Sequence, residues 1–306
     1  MARLDRWRLF RTGALSGLLL VLGAPGGCPA VSVPGSLEVV GDVDFAHLAW
    51  LNTCVLDVHD VGAGVVTKRD LFQRYAAEGA IVYREFPALD FGYMVLTDAA
   101  AQTQYVFLPG SHSLGNLGIG ANTLLEADGV LGVCLHRGYR GMAQAVRSDL
   151  AGILREGYEL TLAGYSLGGA TAVILGQYLL NEGWDVQEVV TFGQPAVTDA
   201  GGASTFSDLP LLRVISGDDV IPRARTGGYV QFGPSLVVLD GPYVLRLSAD
   251  ECDISPELEL VLQLADVRLD DHVAYGSRMR TKLGGTIYDL RPVAEALSGR
   301  AAPVGE

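Results

Sequence analysis

The chain has 306 residues, 49% of them apolar, which is enough to fill a sizeable core and excludes wholesale disorder. Lys and Arg number 22 against 35 Asp and Glu, a formal charge of −13. That balance argues against nucleic acid as a partner, because phosphates reward basic surfaces, and it disfavours a strongly anionic membrane surface.

The N-terminal stretch "MARLDRWRLFRTGALSGLLLVLGAPGGCPA" sets Arg3, Arg6, Arg8 and Arg11 ahead of an apolar run from Ala14 to Ala24. Small residues and Cys28 follow. A positive segment, a short apolar segment and a small-residue exit read as an export signal, and the apolar run is too short for a comfortable membrane span. Cys28 resembles the lipid-accepting cysteine of bacterial lipoproteins, although Pro25 stands where leucine is usual. The alternative is cleavage near Ala30 and a free secreted protein. The expected organisation is a signal over 1–28, a Pro/Gly/Ser-rich linker over 29–40, one domain over 41–295 and a tail over 296–306. Cys54, Cys134 and Cys252 form an odd set that holds at most one disulfide.

Along the body, apolar periodicity predicts helices from Asp44 to Leu56 and from Lys68 to Glu78. "GYMVLTD" and "TQYVFLPGS" alternate apolar and polar residues and predict a strand pair. The glycine-rich "HSLGNLGIGANTLLEADG" follows as a loop. "VLGVCLH" reads as a buried strand, and "GYRGMAQAVRSDLAGILREG" as a helix closed by Gly157. The second half alternates more plainly. "YELTLAG" is a strand, and "LGGATAVILGQYLLNEG" is a helix ending at Gly183. "QEVVTFG" and "PLLRVISG" are strands, "GYVQFGPSLVVLDG" a strand or hairpin, and "DHVAYGSRMRTKL" a late helix. Alternating strands and helices imply an α/β fold, a mostly parallel sheet covered on both faces. Reactive groups in such sheets gather at the carboxyl ends of the strands.

Ser166 stands at such an end. "GYSLG" fits the G-x-S-x-G elbow, in which Gly164 and Gly168 permit a sharp turn that exposes the serine hydroxyl. Gly169 lets the following helix settle on the sheet, and the helix N-terminus favours a developing oxyanion. A serine needs a base, normally histidine. Among five histidines, His47 and His59 lie upstream of the reactive half, His112 lies near a candidate oxyanion loop, and His136 reads as structural. The chain order serine, acid, histidine selects His272 in "LDDHVAYG". The acid belongs on a loop between them, and "LLRVISGDDVIPR" offers Asp218 and Asp219, which pattern alone does not separate.

These segments together resemble the fungal-type, or class 3, lipases of the α/β-hydrolase fold, from about Gly92 to Leu283. "FLPGSHS" resembles the family's Phe-Arg-Gly-Thr oxyanion segment, with Pro109 in place of arginine. "CLHRGY" is similar to its His-x-Gly-Phe element. "AGYSLGGA" resembles its Gly-His-Ser-Leu-Gly-Gly elbow, with Tyr165 where histidine is usual. "VVTFGQPAV" is similar to its Thr-Phe-Gly-x-Pro-Arg-Val segment, with Ala196 for arginine. "RVISGDDVIPR" resembles the acid motif, whose aspartate stands three residues before a proline; Pro222 therefore selects Asp219. "DDHVAYG" places His272 at the catalytic histidine, with Tyr275 three residues on.

The resemblance implies a serine hydrolase of carboxylic esters, with Ser166 as nucleophile, His272 as base and Asp219 as acid. The backbone N–H groups of Leu167 and Ser111 would form the oxyanion hole, and a lid would span Leu114 to Leu125. It implies a lipid or other ester substrate at a lipid–water interface, and no metal or organic cofactor. The expected substrate is triacylglycerol, with phospholipid or short-chain esters as alternatives; a catalytically silent binding protein on the same fold is the non-enzyme alternative.

Overall fold

The structure is a computed structural model that describes residues 38–112, 124–217, 219, 221–223, 228–248 and 272–292. Three short strands, Arg8–Phe10, Leu18–Val21 and Val31–Val33, are described as a separate antiparallel sheet. Cys28 and most of the expected export signal lie outside the described residues. So do Asp218, Cys252, the C-terminal tail and nearly all of the expected lid.

A ten-stranded sheet forms the centre. In chain order its strands are β1 (Glu38–Val39), β2 (Ala80–Phe86), β3 (Phe91–Asp98), β4 (Thr103–Leu108), β5 (Glu159–Tyr165), β6 (Val186–Phe192), β7 (Leu211–Ser216), β8 (Ser235–Val238), β9 (Tyr243–Leu247) and β10 (Tyr288–Asp289). Across the sheet they run β1-β10-β9-β8-β7-β6-β5-β4-β3-β2. β4 to β8 are parallel to one another, and the antiparallel pairs are β2–β3, β3–β4, β8–β9 and β10–β1.

Both faces of the parallel block are covered, which is why its strands read as near-continuous apolar runs. Leu160 and Leu162 of β5 face one core with Val106 and Leu108 of β4. Ala163 and Tyr165 face the other with Phe107. The first core is filled by α3 (Arg137–Leu150) and α4 (Leu167–Asn181), the second by α1 (Phe45–Gly62), α2 (Lys68–Tyr75) and α5 (Tyr275–Arg280). α4 is buried at every position from Leu167 to Leu179, so it has no solvent face to keep polar. Local chemistry sets the other helix starts. Asp44 caps α1 by accepting from the His47 N–H, and Thr67 with Asp70 forms a reciprocal capping box on α2.

Four expectations need correction. The helix expected to run to Gly157 ends at Leu150, because buried Gln104 on β4 captures the following turn: its side chain accepts from the Arg155 N–H and donates to the Ile153 carbonyl. "VLGVCLH" contributes only Cys134–His136, which belongs to a small antiparallel sheet with Leu125–Ala127, Thr198–Asp199 and Tyr229–Val230. "GYVQFGPSLVVLDG" is no hairpin, since Tyr229–Val230 joins that small sheet while Ser235–Val238 joins the central one. The late helix is shortened to Tyr275–Arg280. The edge strand β2 had no counterpart in the sequence reading. Cys54 and Cys134 are free thiols, the first fully buried.

α5 comes closely after His272 in the chain, so its anchorage bears on where that histidine stands. Buried Arg278 roots the helix, donating through Nη1 to the Ser216 hydroxyl at the end of β7 (2.8 Å) and through Nε to Asp240 (3.0 Å). A hydrogen bond from a charged group contributes about 1.5–3 kcal/mol. Arg278→Met is therefore expected to lose roughly that much stability, read as a lower urea midpoint with an unchanged denaturant slope.

Candidate active site

β5, hydrogen-bonded to parallel neighbours on both sides, ends at Tyr165, and α4 begins at Leu167. Ser166 between them has φ 52° and ψ −118°, a left-handed conformation that L-residues rarely adopt. The turn is possible only because its neighbours lack side chains. A Cβ on Gly164 would lie 2.3 Å from the Gly168 carbonyl oxygen. One on Gly168 would lie 2.1 Å from the Leu108 carbonyl oxygen. Gly169 sits against Gln194 and Thr191, where a Cβ would meet Gln194 at 3.2 Å. The elbow is thus pressed onto the end of β4 and the loop after β6.

Three side chains from three loops meet at this point. The Ser166 hydroxyl lies 3.0 Å from His272 Nε2, and His272 Nδ1 lies 2.8 Å from Asp219 Oδ2. A carboxylate only accepts, so Nδ1 carries the proton and Nε2 is left to accept from the serine. Asp219 is fully buried and its oxygens are occupied: the Ile221 N–H donates to Oδ1 (2.9 Å) and the Tyr275 hydroxyl to Oδ2 (2.5 Å). Burial, reinforced by the Asp219 charge, holds the Tyr275 phenol well above its usual range, so it remains a donor. The His272 side chain is 26% exposed, open enough for a substrate to reach.

Leu167 is the first residue of α4, and the first intrahelical bond runs from the Ala170 N–H to the Ser166 carbonyl. The Leu167 N–H therefore lies ahead of the helical bonding ladder, at its positive end. Gly110 lies against the elbow, since a Cβ there would be 3.4 Å from the Ser166 Cβ and 2.5 Å from the Tyr165 ring. Ser111 follows it, and its carbonyl faces His59 Nε2 at 3.4 Å.

The remaining histidines divide differently from the sequence reading. His59, placed upstream of the reactive half, stands at the site's edge, its ring 6.1 Å from that of Tyr165. His112 fills the notch left by Gly62, where a Cβ would be 2.6 Å from its Cε1. His47 pairs with Glu188, which raises its pKa through a side-chain hydrogen bond. His136 does not sit under the sheet; it caps α3, Nδ1 accepting from the Tyr139 N–H.

Two further residues escaped sequence reasoning. Gly193 ends β6 at φ 65° and backs onto the cluster, where a Cβ would lie 2.7 Å from Asp219 Oδ2 and 3.0 Å from His272 Cε1. Its signals were a glycine directly after a strand and its place in the "VVTFGQPAV" segment, neither of which marked its contact with the cluster. Gln231 Nε2 donates to the Gln194 and Pro222 carbonyls, joining the loop after β6 to the acid loop. Nothing in the pattern marked it.

A strand–elbow–helix serine, an acid after β7 and a late histidine on a doubly covered, mostly parallel sheet define the α/β-hydrolase fold. A family model described as "Lipase (class 3)" matches residues 111–228. A lipase from Rhizomucor miehei is 24% identical over 265 residues, covering 80% of this chain and 72% of that one. Among solved structures, a fungal lipase–inhibitor complex used as a model for interfacial activation matches with TM-score 0.60 at 17% identity, covering 81% of this chain and 99% of that one. A triacylglycerol lipase described as having a serine-protease triad as its catalytic centre matches with TM-score 0.54 at 20% identity, over 67% and 84% of the two chains. The chain is therefore similar to the class 3, fungal-type lipases, in sequence over residues 111–228 and in fold over most of its length.

Glycine packing around the cluster has a measurable consequence for stability. Gly284 also has positive φ but nothing within 4 Å of a Cβ, whereas Gly193 faces the cluster. Gly284→Ala should cost only the left-handed backbone penalty of roughly 1–2 kcal/mol. Gly193→Ala should cost clearly more in the same urea titration; equal losses would refute the close packing.

Proposed function

We propose that the protein is a serine hydrolase that cleaves carboxylic esters through an acyl-enzyme on Ser166, with triacylglycerols as its substrates. The observation that carries this reading is His272 bridging Ser166 and Asp219 at hydrogen-bond distance on both sides. Ser166 Oγ attacks the ester carbonyl while His272 Nε2 takes its proton. Buried Asp219 holds the imidazole in the required tautomer and stabilises the imidazolium. The oxyanion is held by the Leu167 N–H at the head of α4 and by the Ser111 N–H, and the alcohol leaves with the proton from His272. Water then attacks the acyl-enzyme through the same base and releases the fatty acid. No metal or cofactor takes part in these steps.

One structural neighbour is a triacylglycerol lipase, which supports this substrate class, and another served as a model for interfacial activation, which supports action at an interface. Export is the reading that suits lipid outside the cell, with Cys28 as a candidate point of lipid attachment. Mass spectrometry of the mature N-terminus distinguishes an acylated Cys28 from cleavage near Ala30.

Ser166→Ala should lower kcat on the order of 10⁵- to 10⁶-fold, and Asp219→Asn by about 10⁴-fold, with little change in KM. The assay is hydrolysis of glycerol esters of graded acyl length beside a phospholipid. Full activity in Ser166→Ala, or no ester cleavage by the wild type, would refute the mechanism. Preference for a phospholipid or for short soluble esters would replace the substrate while leaving the triad in place.

A further inference from the structure

We propose that Tyr165 is a positioning residue that holds the His272 segment and the Gly110–Ser111 segment in one arrangement about Ser166. This rests on the hydrolase reading above and deepens it. Tyr165 is the last residue of β5 and is buried, so its backbone is fixed by the sheet. Its hydroxyl donates to the backbone carbonyl of His272 at 2.8 Å. Its ring centroid lies 5.1 Å from the His272 imidazole and 6.0 Å from the Tyr275 ring.

The same ring also meets the segment at Gly110. The ring occupies the space that Gly110 leaves empty. His59 stands edge-on to it at an interplanar angle of 76° and reaches the Ser111 carbonyl. One side chain therefore touches both the segment proposed to carry the base and the segment proposed to carry an oxyanion donor.

The chemistry suits a fixed strut. Burial, then the nearby Asp219 charge, keeps the phenol protonated, so it donates at any working pH. The carbonyl it binds belongs to His272 itself, so the bond sets the Cα from which the imidazole is aimed. His272 arrives 53 residues after Asp219 and 106 after Ser166, and a displacement of about 1 Å in such a group costs up to a hundredfold in rate. The histidine usual in resembling elbows has no hydroxyl, so this bond is a feature of the present chain.

The test compares the full-length wild type with Tyr165→Phe and Tyr165→Leu on a soluble p-nitrophenyl ester. Active sites are counted by stoichiometric release of p-nitrophenol from a p-nitrophenyl phosphonate, so that rates are per competent site and misfolded protein drops out. Tyr165→Phe should lower kcat per site about tenfold, the scale of one hydrogen bond, with KM within about twofold. Tyr165→Leu, which also empties the space against Gly110, should lose more. A purely structural tyrosine would instead reduce the number of titratable sites and leave kcat per site intact; that result overturns the proposal, as does a loss confined to KM. A wild type that neither turns over nor takes up the phosphonate overturns the hydrolase reading and this one together. An active wild type beside an unaltered Tyr165→Phe overturns this one alone.

Discussion

The site depends on one strained residue, Ser166, held at positive φ where the sheet hands the chain to a helix. Such a conformation costs on the order of 1–3 kcal/mol and persists only where its surroundings over-determine it. Here they do so by backbone contact. Gly164 abuts the carbonyl of Gly168, and Gly168 abuts the carbonyls of Leu108 and Pro109. Relaxing the serine would drive α4 into β4, and α4 is buried on all sides. The rigidity of the core is thus what keeps the hydroxyl presented.

Asp219 and His272 face a different problem, because they come from loops far along the chain. Their loops are tied down by buried polar bonds rather than by regular structure. Tyr275 and the Ile221 N–H saturate Asp219, and Gln231 joins its loop to the one after β6. Arg278 roots α5 on the end of β7, the strand that leads to Asp219. Asp219, Tyr275 and Arg278 are buried, where an unmade bond is costly, so they resist displacement. His272 can therefore stay partly exposed while Asp219 and Tyr275 beside it are buried.

Legibility in the sequence followed the range of the physics involved. The parallel block and the elbow were readable because near-continuous apolar runs and glycine-bounded turns leave local marks, as in "ELTLAGYSLGG". Local motif and chain order singled out Ser166, His272 and the acid loop, and the resemblance chose Asp219 over Asp218; the structure brings Ser166, His272 and Asp219 within hydrogen-bond distance. Contacts between distant segments left no such mark. Gln104 stopping α3, Gln231 bridging two loops and His59 reaching Ser111 depend on which strands become neighbours. β2 went unseen because an edge strand is only half buried, and its burial shows no clean alternation.

The two arginines that resembling lipases carry beside the elbow are replaced here by Pro109 and Ala196. Pro109 and Ala196 are both buried, so each replacement leaves a short apolar side chain inside the fold where the motif carries a long one with several donors. In their place the chain packs rings and a short proline: Tyr165 fills the hollow at Gly110, His59 flanks it, and His112 fills the hollow at Gly62. Aromatic packing is short-ranged and fixed by shape. In the mechanism proposed above, the oxyanion would be stabilised by backbone N–H groups and the helix terminus, which act only on charge that develops within their reach. That attraction is strongest for the transition state and adds little for the bound ground state. Such an arrangement suits a neutral ester on entry and an anionic carboxylate on departure.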